Sequence, residues 1–301
     1  MNIRGKHSPF RRGVVALTSA LLLAAGATTV TATSAVADGM PTPPRPCSPG
    51  DREDPGSSAA LRPGDRLSTG QYMQSNNAVL VMQPDGNLVL SLVWAGRPGP
   101  VVWASGTWGN PGAHAILQED GNLVVYRPDG RAVWSTGTWG GGQACAVVDG
   151  HGDFQVNRAA PDHYGYLWHT ESGTLQGSFN GNESIWEGGF SLKPGQWRAS
   201  LTTWLLMQSD GNLVLYRKAD NTPLWATNTY GLYHANGSMS SWTGSLTIYY
   251  TGKDGGGHAA WDAGVSGSQG AYLSVQNDGN VVIYDRSGTR ALWASGTWGR
   301  A

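Results

Sequence analysis

Apolar residues in this chain come in short runs of Val, Leu and Tyr, separated by turns rich in Gly, Asp, Asn and Pro. Within the runs the period is two, which predicts β-strands throughout and few amphipathic helices. One alternation recurs. Gln-x-Asp-Gly-Asn-aliphatic-Val-aliphatic-Tyr spans 118–126, 208–216 and 276–284, and a near-copy at 83–91 ends on Ser91 in place of Tyr. Successive side chains of a strand face opposite ways. Gln118, Asp120, Asn122, Val124 and Tyr126 therefore share one face, with Leu123 and Val125 on the other. A polar comb of donors and acceptors, backed by an apolar face, suits a polyhydroxylated ligand.

A second element sets the architecture. Trp-Ala-Ser-Gly-Thr-Trp-Gly at 103–109 returns as close variants at 134–140, 225–231 and 293–299. The first Trp of each follows the comb Asp by 14 to 18 residues. Two further units keep the glycine, the alternation and the downstream Trp but lose the comb. One holds Asp149, His151, Asp153, Gln155 and Asn157 before Trp168; the other holds Ser241, Thr243, Ser245 and Thr247 before Trp261. Repetition at this length predicts small β units that cannot bury their own apolar faces alone. The persistence of units without combs separates scaffold from site. Leu61-Arg-Pro-Gly and Leu192-Lys-Pro-Gly open two sets of three units, 131 residues apart. The expected domains are 59–170 and 186–301, with a Gly/Ser/Asn-rich linker at 171–185 and a Pro-rich lead-in at 38–58. Each set should turn three small sheets toward a tryptophan-rich axis.

The first 37 residues read as a secretory signal: Arg4, Lys6, Arg11 and Arg12, then an uncharged apolar stretch, then Ala35-Val36-Ala37. A secreted product is expected, without stable membrane insertion after cleavage. Removing 1–37 takes four of the 20 basic residues and no acidic one, leaving 16 against 21, a net charge of −5. Bulk charge of that sign does not attract nucleic acid. Cys47 and Cys145 are the only cysteines, and export predicts a disulfide between them. No Ser/His/Asp or Cys/His arrangement clusters, so an enzyme is not expected. The Asp149, His151, Asp153 row could suggest a metal ligand set, but strand spacing alone does not give metal geometry, and no calcium loop is matched. The row reads better as a decayed ligand site, and neither metal nor cofactor is expected.

The combs and repeated tryptophans, over about 59–301, resemble the bulb-type mannose-binding lectins of monocot plants and their bacterial relatives, in a tandem form. The resemblance implies an all-β fold of two tandem β-prism (type II) domains. Each would have three four-stranded sheets, pseudo-threefold symmetry and one potential sugar site per sheet. The chain departs from the plant pattern in lacking a cysteine pair inside each domain.

By that resemblance Asp120 and Asn122 would hold the axial 2-hydroxyl of mannose, Gln118 the 3-hydroxyl and Tyr126 the 4-hydroxyl, with Val124 beneath the ring. Gln208, Asp210, Asn212, Val214 and Tyr216 form a second set, and Gln276, Asp278, Asn280, Val282 and Tyr284 a third. Gln83, Asp85, Asn87 and Val89 form a weaker one, because Ser91 cannot span to the 4-hydroxyl. The expected partners are mannose-containing glycans, with homo-oligomerisation left open. A lectin-like bacteriocin and a surface adhesin are alternatives on the same fold.

Overall fold

In a computed structural model the chain is described over residues 60–141, 144–149, 151–158, 165–174, 184–232 and 234–301. The expected signal segment, the lead-in and Cys47 lie outside these residues. All described elements are strands. The first twelve are β1 (Ala60–Leu61), β2 (Arg66–Leu67), β3 (Tyr72–Gln74), β4 (Ala78–Met82), β5 (Leu88–Trp94), β6 (Arg97–Ala104), β7 (His114–Leu117), β8 (Leu123–Tyr126), β9 (Ala132–Ser135), β10 (Ala144–Val148), β11 (Phe154–Arg158) and β12 (Tyr166–His169). They form three four-stranded sheets, ordered β3-β4-β5-β6, β2-β7-β8-β9 and β1-β10-β11-β12.

The second set runs β13 (Gly173–Thr174), β14 (Ser184–Glu187), β15 (Ser191–Leu192), β16 (Gln196–Ala199), β17 (Thr203–Met207), β18 (Leu213–Arg217), β19 (Pro223–Ala226), β20 (Asn236–Met239), β21 (Leu246–Thr251), β22 (Gly257–Asp262), β23 (Tyr272–Val275), β24 (Val281–Tyr284) and β25 (Ala291–Ala294). Its sheets are β13-β16-β17-β18-β19, β15-β20-β21-β22 and β14-β23-β24-β25. In both sets a strand from the start of the set closes the last sheet, β1 pairing β10 and β14 pairing β23. β13 adds a fifth strand, parallel to β16, from within the stretch expected to be linker. The strands follow the alternation, and their grouping into two tandem β-prisms is the one that the resemblance implies, with one sheet widened.

Each unit repeats one register. The inward aliphatic of the middle strand faces the first Trp of the downstream motif: Leu90 with Trp103, Val125 with Trp134, Val156 with Trp168. The second prism repeats it with Leu215 and Trp225, Ile248 and Trp261, Ile283 and Trp293. The three tryptophans of each prism meet edge to face around its axis. Ring centroids lie 5.4, 5.5 and 5.6 Å apart in the first and 5.4, 5.5 and 5.7 Å in the second. Such pairs add about 0.5–1.5 kcal/mol each beyond area burial. A ring of three large side chains lets three narrow sheets share one core.

The Asp-Gly of each comb is a hairpin turn. Gln118 N–H donates to the Asn122 carbonyl at 2.9 Å, and Gly121 N–H to the Gln118 carbonyl at 3.0 Å. The glycine is required twice over. Gly211 has φ +93°, and a Cβ there would sit 2.4 Å from the Leu232 carbonyl oxygen. A side chain would therefore push away the loop that follows the last strand of the unit.

The outer face of β16 and β17 is not solvated. Alternation splits these strands between two cores: Leu205 and Met207 pack in the second prism, while Trp197, Ala199, Trp204 and Leu206 are buried with the first. A Cβ on Gly99 would come within 2.6 Å of the Trp204 ring, so glycine makes room for the indole. Around this contact Asn221 Nδ2 donates to the Pro98 carbonyl at 3.0 Å, and Lys218 Nζ lies 4.1 Å from the Trp94 ring centroid. Lys193 pairs with Glu171 at 2.9 Å. Cys145 is buried on β10.

Candidate functional site

Each intact comb is assembled by one hairpin and the loop after the following strand. In the 118–126 unit, the Asn122 amide N–H donates to Asp120 Oδ1 at 3.0 Å. Asn122 Oδ1 accepts from Thr136 Oγ1 and from the Thr138 N–H, both at 3.1 Å. The Thr138 hydroxyl donates to the Gly121 carbonyl at 2.7 Å. Gln118 Nε2 donates to the Tyr126 hydroxyl oxygen at 3.0 Å. Among the described residues this leaves Asp120 Oδ2, Asn122 Nδ2, Gln118 Oε1 and the Tyr126 hydroxyl proton uncommitted. These are two acceptors and two donors in a fixed arrangement. An open depression of about 340 Å³ lies over Gln118, Asn122, Val124, Tyr126 and the strand 132–135.

The same bonds recur elsewhere. Asn212 N–H donates to Asp210 Oδ1 and Asn280 N–H to Asp278 Oδ1, both at 2.9 Å. Gln208 reaches Tyr216 at 2.7 Å and Gln276 reaches Tyr284 at 2.9 Å. Thr227 and Thr229 brace Asn212, and Ser295 and Thr297 brace Asn280. In the 83–91 unit Asn87 is braced by Ser105 and Thr107, and its N–H reaches Asp85 Oδ1 at 3.0 Å. Ser91 leaves Gln83 without the phenol that steadies the others. The structure therefore brings each predicted set together on one face, with Val89, Val124, Val214 and Val282 recessed beneath.

The cross-strand neighbour of each comb tyrosine is aromatic. His114 stacks on Tyr126 with centroids 5.9 Å apart, and Tyr272 lies 5.8 Å from Tyr284. Burial, helped by the Arg66 charge, pushes His114 below the usual imidazole range, which keeps that ring neutral beside the phenol. The neighbour of Tyr216 is Trp204, the residue buried against the first prism. Burial, with some help from the Asp210 charge, raises Tyr216 above the ordinary phenol range. The 208–216 comb is thus more enclosed at its tyrosine end. That asymmetry has no sequence signal within the motif.

The units without a comb still form four-stranded sheets, as expected. Where the comb is present its Asn also serves the scaffold, tying the downstream loop to the hairpin. The units that lost the comb show the replacement. In the fifth, Ser245 stands at the Asn position, and Asp262 from the last strand accepts from Ser245 Oγ at 2.7 Å, from Thr247 Oγ1 and from Gly264 N–H at 2.6 Å. In the third, Asp153 takes the Asn position and holds Thr170 Oγ1 at 2.5 Å and His169 Nδ1 at 3.0 Å. Gln155 Nε2 donates to Asp149 Oδ2 at 2.7 Å, so this row closes on itself. Among the described residues no group of three or more His, Cys, Asp or Glu is arranged to hold a metal ion.

The two aromatics of the repeated Trp motif differ in burial. The first sits on a strand and packs at the axis, whereas the second lies in the loop beyond it and is exposed. Trp108, Trp139, Tyr230 and Trp298 are 72, 68, 69 and 73 % exposed.

No family model matches the chain. Over 69 residues, 23 % of its length, it is 42 % identical to a mannose-specific lectin of Narcissus pseudonarcissus and to one of Galanthus nivalis. The match spans 59 % and 41 % of those proteins, less than two thirds of either. Among solved structures, monomeric monocot mannose-binding lectins from Gastrodia elata are 37 % identical, covering 38 % of this chain and 97 % of theirs, with a TM-score of 0.33. With the comb residues, their shared bracing and this sequence similarity in place, the chain is a two-prism relative of the bulb-type mannose-binding lectins.

Proposed function

We propose that the protein is a secreted, multivalent lectin that binds mannose-containing glycans through the combs at 118–126, 208–216 and 276–284, with a weaker site at 83–91. The observation that supports this most is the commitment of one atom on each polar side chain to the scaffold. Asp120 Oδ1 and Asn122 Oδ1 are occupied internally. The remaining Oδ2 accepts, and the remaining Nδ2 donates. A sugar hydroxyl does both at once, so one hydroxyl satisfies the pair. Gln118 Oε1 accepts from the next hydroxyl along the ring, and the Tyr126 hydroxyl proton donates to the one after it. The mannose-specific relatives favour an axial 2-hydroxyl as the group read by Asp120 and Asn122.

The chemistry is recognition. Each comb carries one carboxylate, whereas glycoside hydrolysis places two carboxyl groups about 5–9.5 Å apart across the scissile bond. An open site with so few contacts binds a single sugar with a Kd on the order of millimolar. Several sites on a rigid pair of prisms raise avidity by ~10²–10⁴ on a glycan that reaches two. Polymers and glycan-coated surfaces are then the ligands that matter.

The test is retention on immobilised mannan. Asp120→Ala, Asp210→Ala and Asp278→Ala combined should abolish retention while leaving the thermal unfolding transition in place. Undiminished retention in the folded triple variant would overturn the assignment.

A further inference from the structure

We propose that Trp108, Trp139, Tyr230 and Trp298 are stacking platforms for the second sugar of a glycan whose first sugar sits in the adjacent comb. The inference rests on reading the combs as hexose sites and assigns their extension. Its first support is co-occurrence. The four units that carry a full or nearly full comb all place an aromatic at this loop position. The two units that lost the comb have Gly173 and Ser266 there.

The loop does not need the aromatic. In comb units the residue after it, or the next one, donates its N–H to the carbonyl of the comb Asp. Gly140 reaches Asp120 at 3.0 Å, Gly231 reaches Asp210 at 2.7 Å, Gly299 reaches Asp278 at 2.7 Å, and Asn110 reaches Asp85 at 2.9 Å. The fifth unit makes the corresponding bond from Ser268 to the Thr243 carbonyl at 3.2 Å, without any aromatic. Nor does the aromatic add to the core, being about 70 % exposed in every case. The bond does one thing: it fixes the backbone of the loop that carries the exposed ring against the carbonyl of the Asp that would grip the first sugar.

A single exposed Trp needs no explanation, and Trp242 is such a case. Four at one position of a repeat, present only with the comb, do. They lie in loops that follow the last strands of four different sheets of two threefold-like prisms, so a single flat partner surface does not cover them all. What they share is the comb. A pyranose presents C–H groups on its faces, and an aromatic face beside a polar grip is the usual lining of a specific small-ligand site.

The experiment uses the mature chain and two soluble monovalent probes, methyl α-mannoside and a linear α-mannotriose, measured by calorimetry. The wild type should prefer the trisaccharide by about tenfold, and indole emission should shift with the trisaccharide and not with the monosaccharide. Trp108→Ala, Trp139→Ala, Tyr230→Ala and Trp298→Ala together should leave monosaccharide affinity within twofold and remove the trisaccharide preference, with Trp139→Tyr alone retaining it at its site. Equal affinity of the wild type for both probes overturns the stacking inference and leaves the comb assignment standing. So does an equal loss of both probes in the variant. No binding of either probe by the wild type overturns the comb assignment itself. If the quadruple variant keeps its trisaccharide preference but loses binding to phosphatidylglycerol vesicles, the aromatics serve a lipid surface and the inference is wrong.

Discussion

The Thr138 amide donates to Asn122 Oδ1 at 3.1 Å while the Thr138 hydroxyl holds the Gly121 carbonyl at 2.7 Å. Two residues 16 apart thus lock a hairpin to the loop of the next strand. Asn122 is buried and Asp120 is exposed. Asn122→Ala should leave the Thr138 N–H and Thr136 hydroxyl without their acceptor, at a cost of about 1–3 kcal/mol. Asp120→Ala should cost well under half of that, because water can replace it. Chemical denaturation of both variants checks this. Equal destabilisation would mean that the Asn brace contributes nothing of its own.

Ser91→Tyr should rebuild a fourth comb. Gln83, Asp85 and Asn87 already stand in register, and only the phenol is missing. Because its cross-strand neighbour is Val79 and not an aromatic ring, the new tyrosine will be held less firmly than Tyr126 or Tyr284. Calorimetry with methyl α-mannoside should show the weak site at 83–91 tighten, while staying below the affinity of the other three. An unchanged affinity at that site would show that the comb needs more than its five residues.

Asp153→Asn should stabilise the protein at neutral pH. Burial holds the Asp153 carboxyl above the usual range, and its bonds to Thr170 and His169 only partly offset this. The folded state therefore binds its proton more tightly than the unfolded chain. Stability from this group is full below the ordinary carboxylate value of 3.8 and is lost as pH rises through the raised value. The amide keeps an acceptor for Thr170 and never ionises. Urea unfolding at pH 3 and pH 7 should show the gain at pH 7, closing at pH 3. A gain independent of pH would point to packing instead.

Lys218→Met addresses the contact between the prisms. Burial lowers the Lys218 ammonium to about 8 from 10.5, although the Trp94 ring face favours the charge. Between those values the unfolded chain holds the proton and the folded one does not. The wild type should gain stability relative to the variant as pH rises from 8 to 10.5. Parallel pH profiles would show that Lys218 is solvated in solution.

Much of this molecule is legible from the chain. Period-two alternation fixed the strands, the Asp-Gly turns fixed the register of each comb, and the repeat spacing fixed six units in two sets. These signals are local: a strand's faces follow from its own alternation. Two kinds of information are not local. Trp103 and Trp108 are both tryptophans of one repeated loop, and only packing made the first axial and the second exposed. Likewise Trp197, Trp204 and Leu206 alternate as a comb-bearing face should, yet they are buried because another prism covers them. Alternation says which residues share a face. What lies against that face depends on chain far away in sequence, and so the tertiary structure alone decided that Trp204, the cross-strand neighbour of Tyr216, would be buried by the other prism while His114 and Tyr272, the neighbours of Tyr126 and Tyr284, stay half-buried.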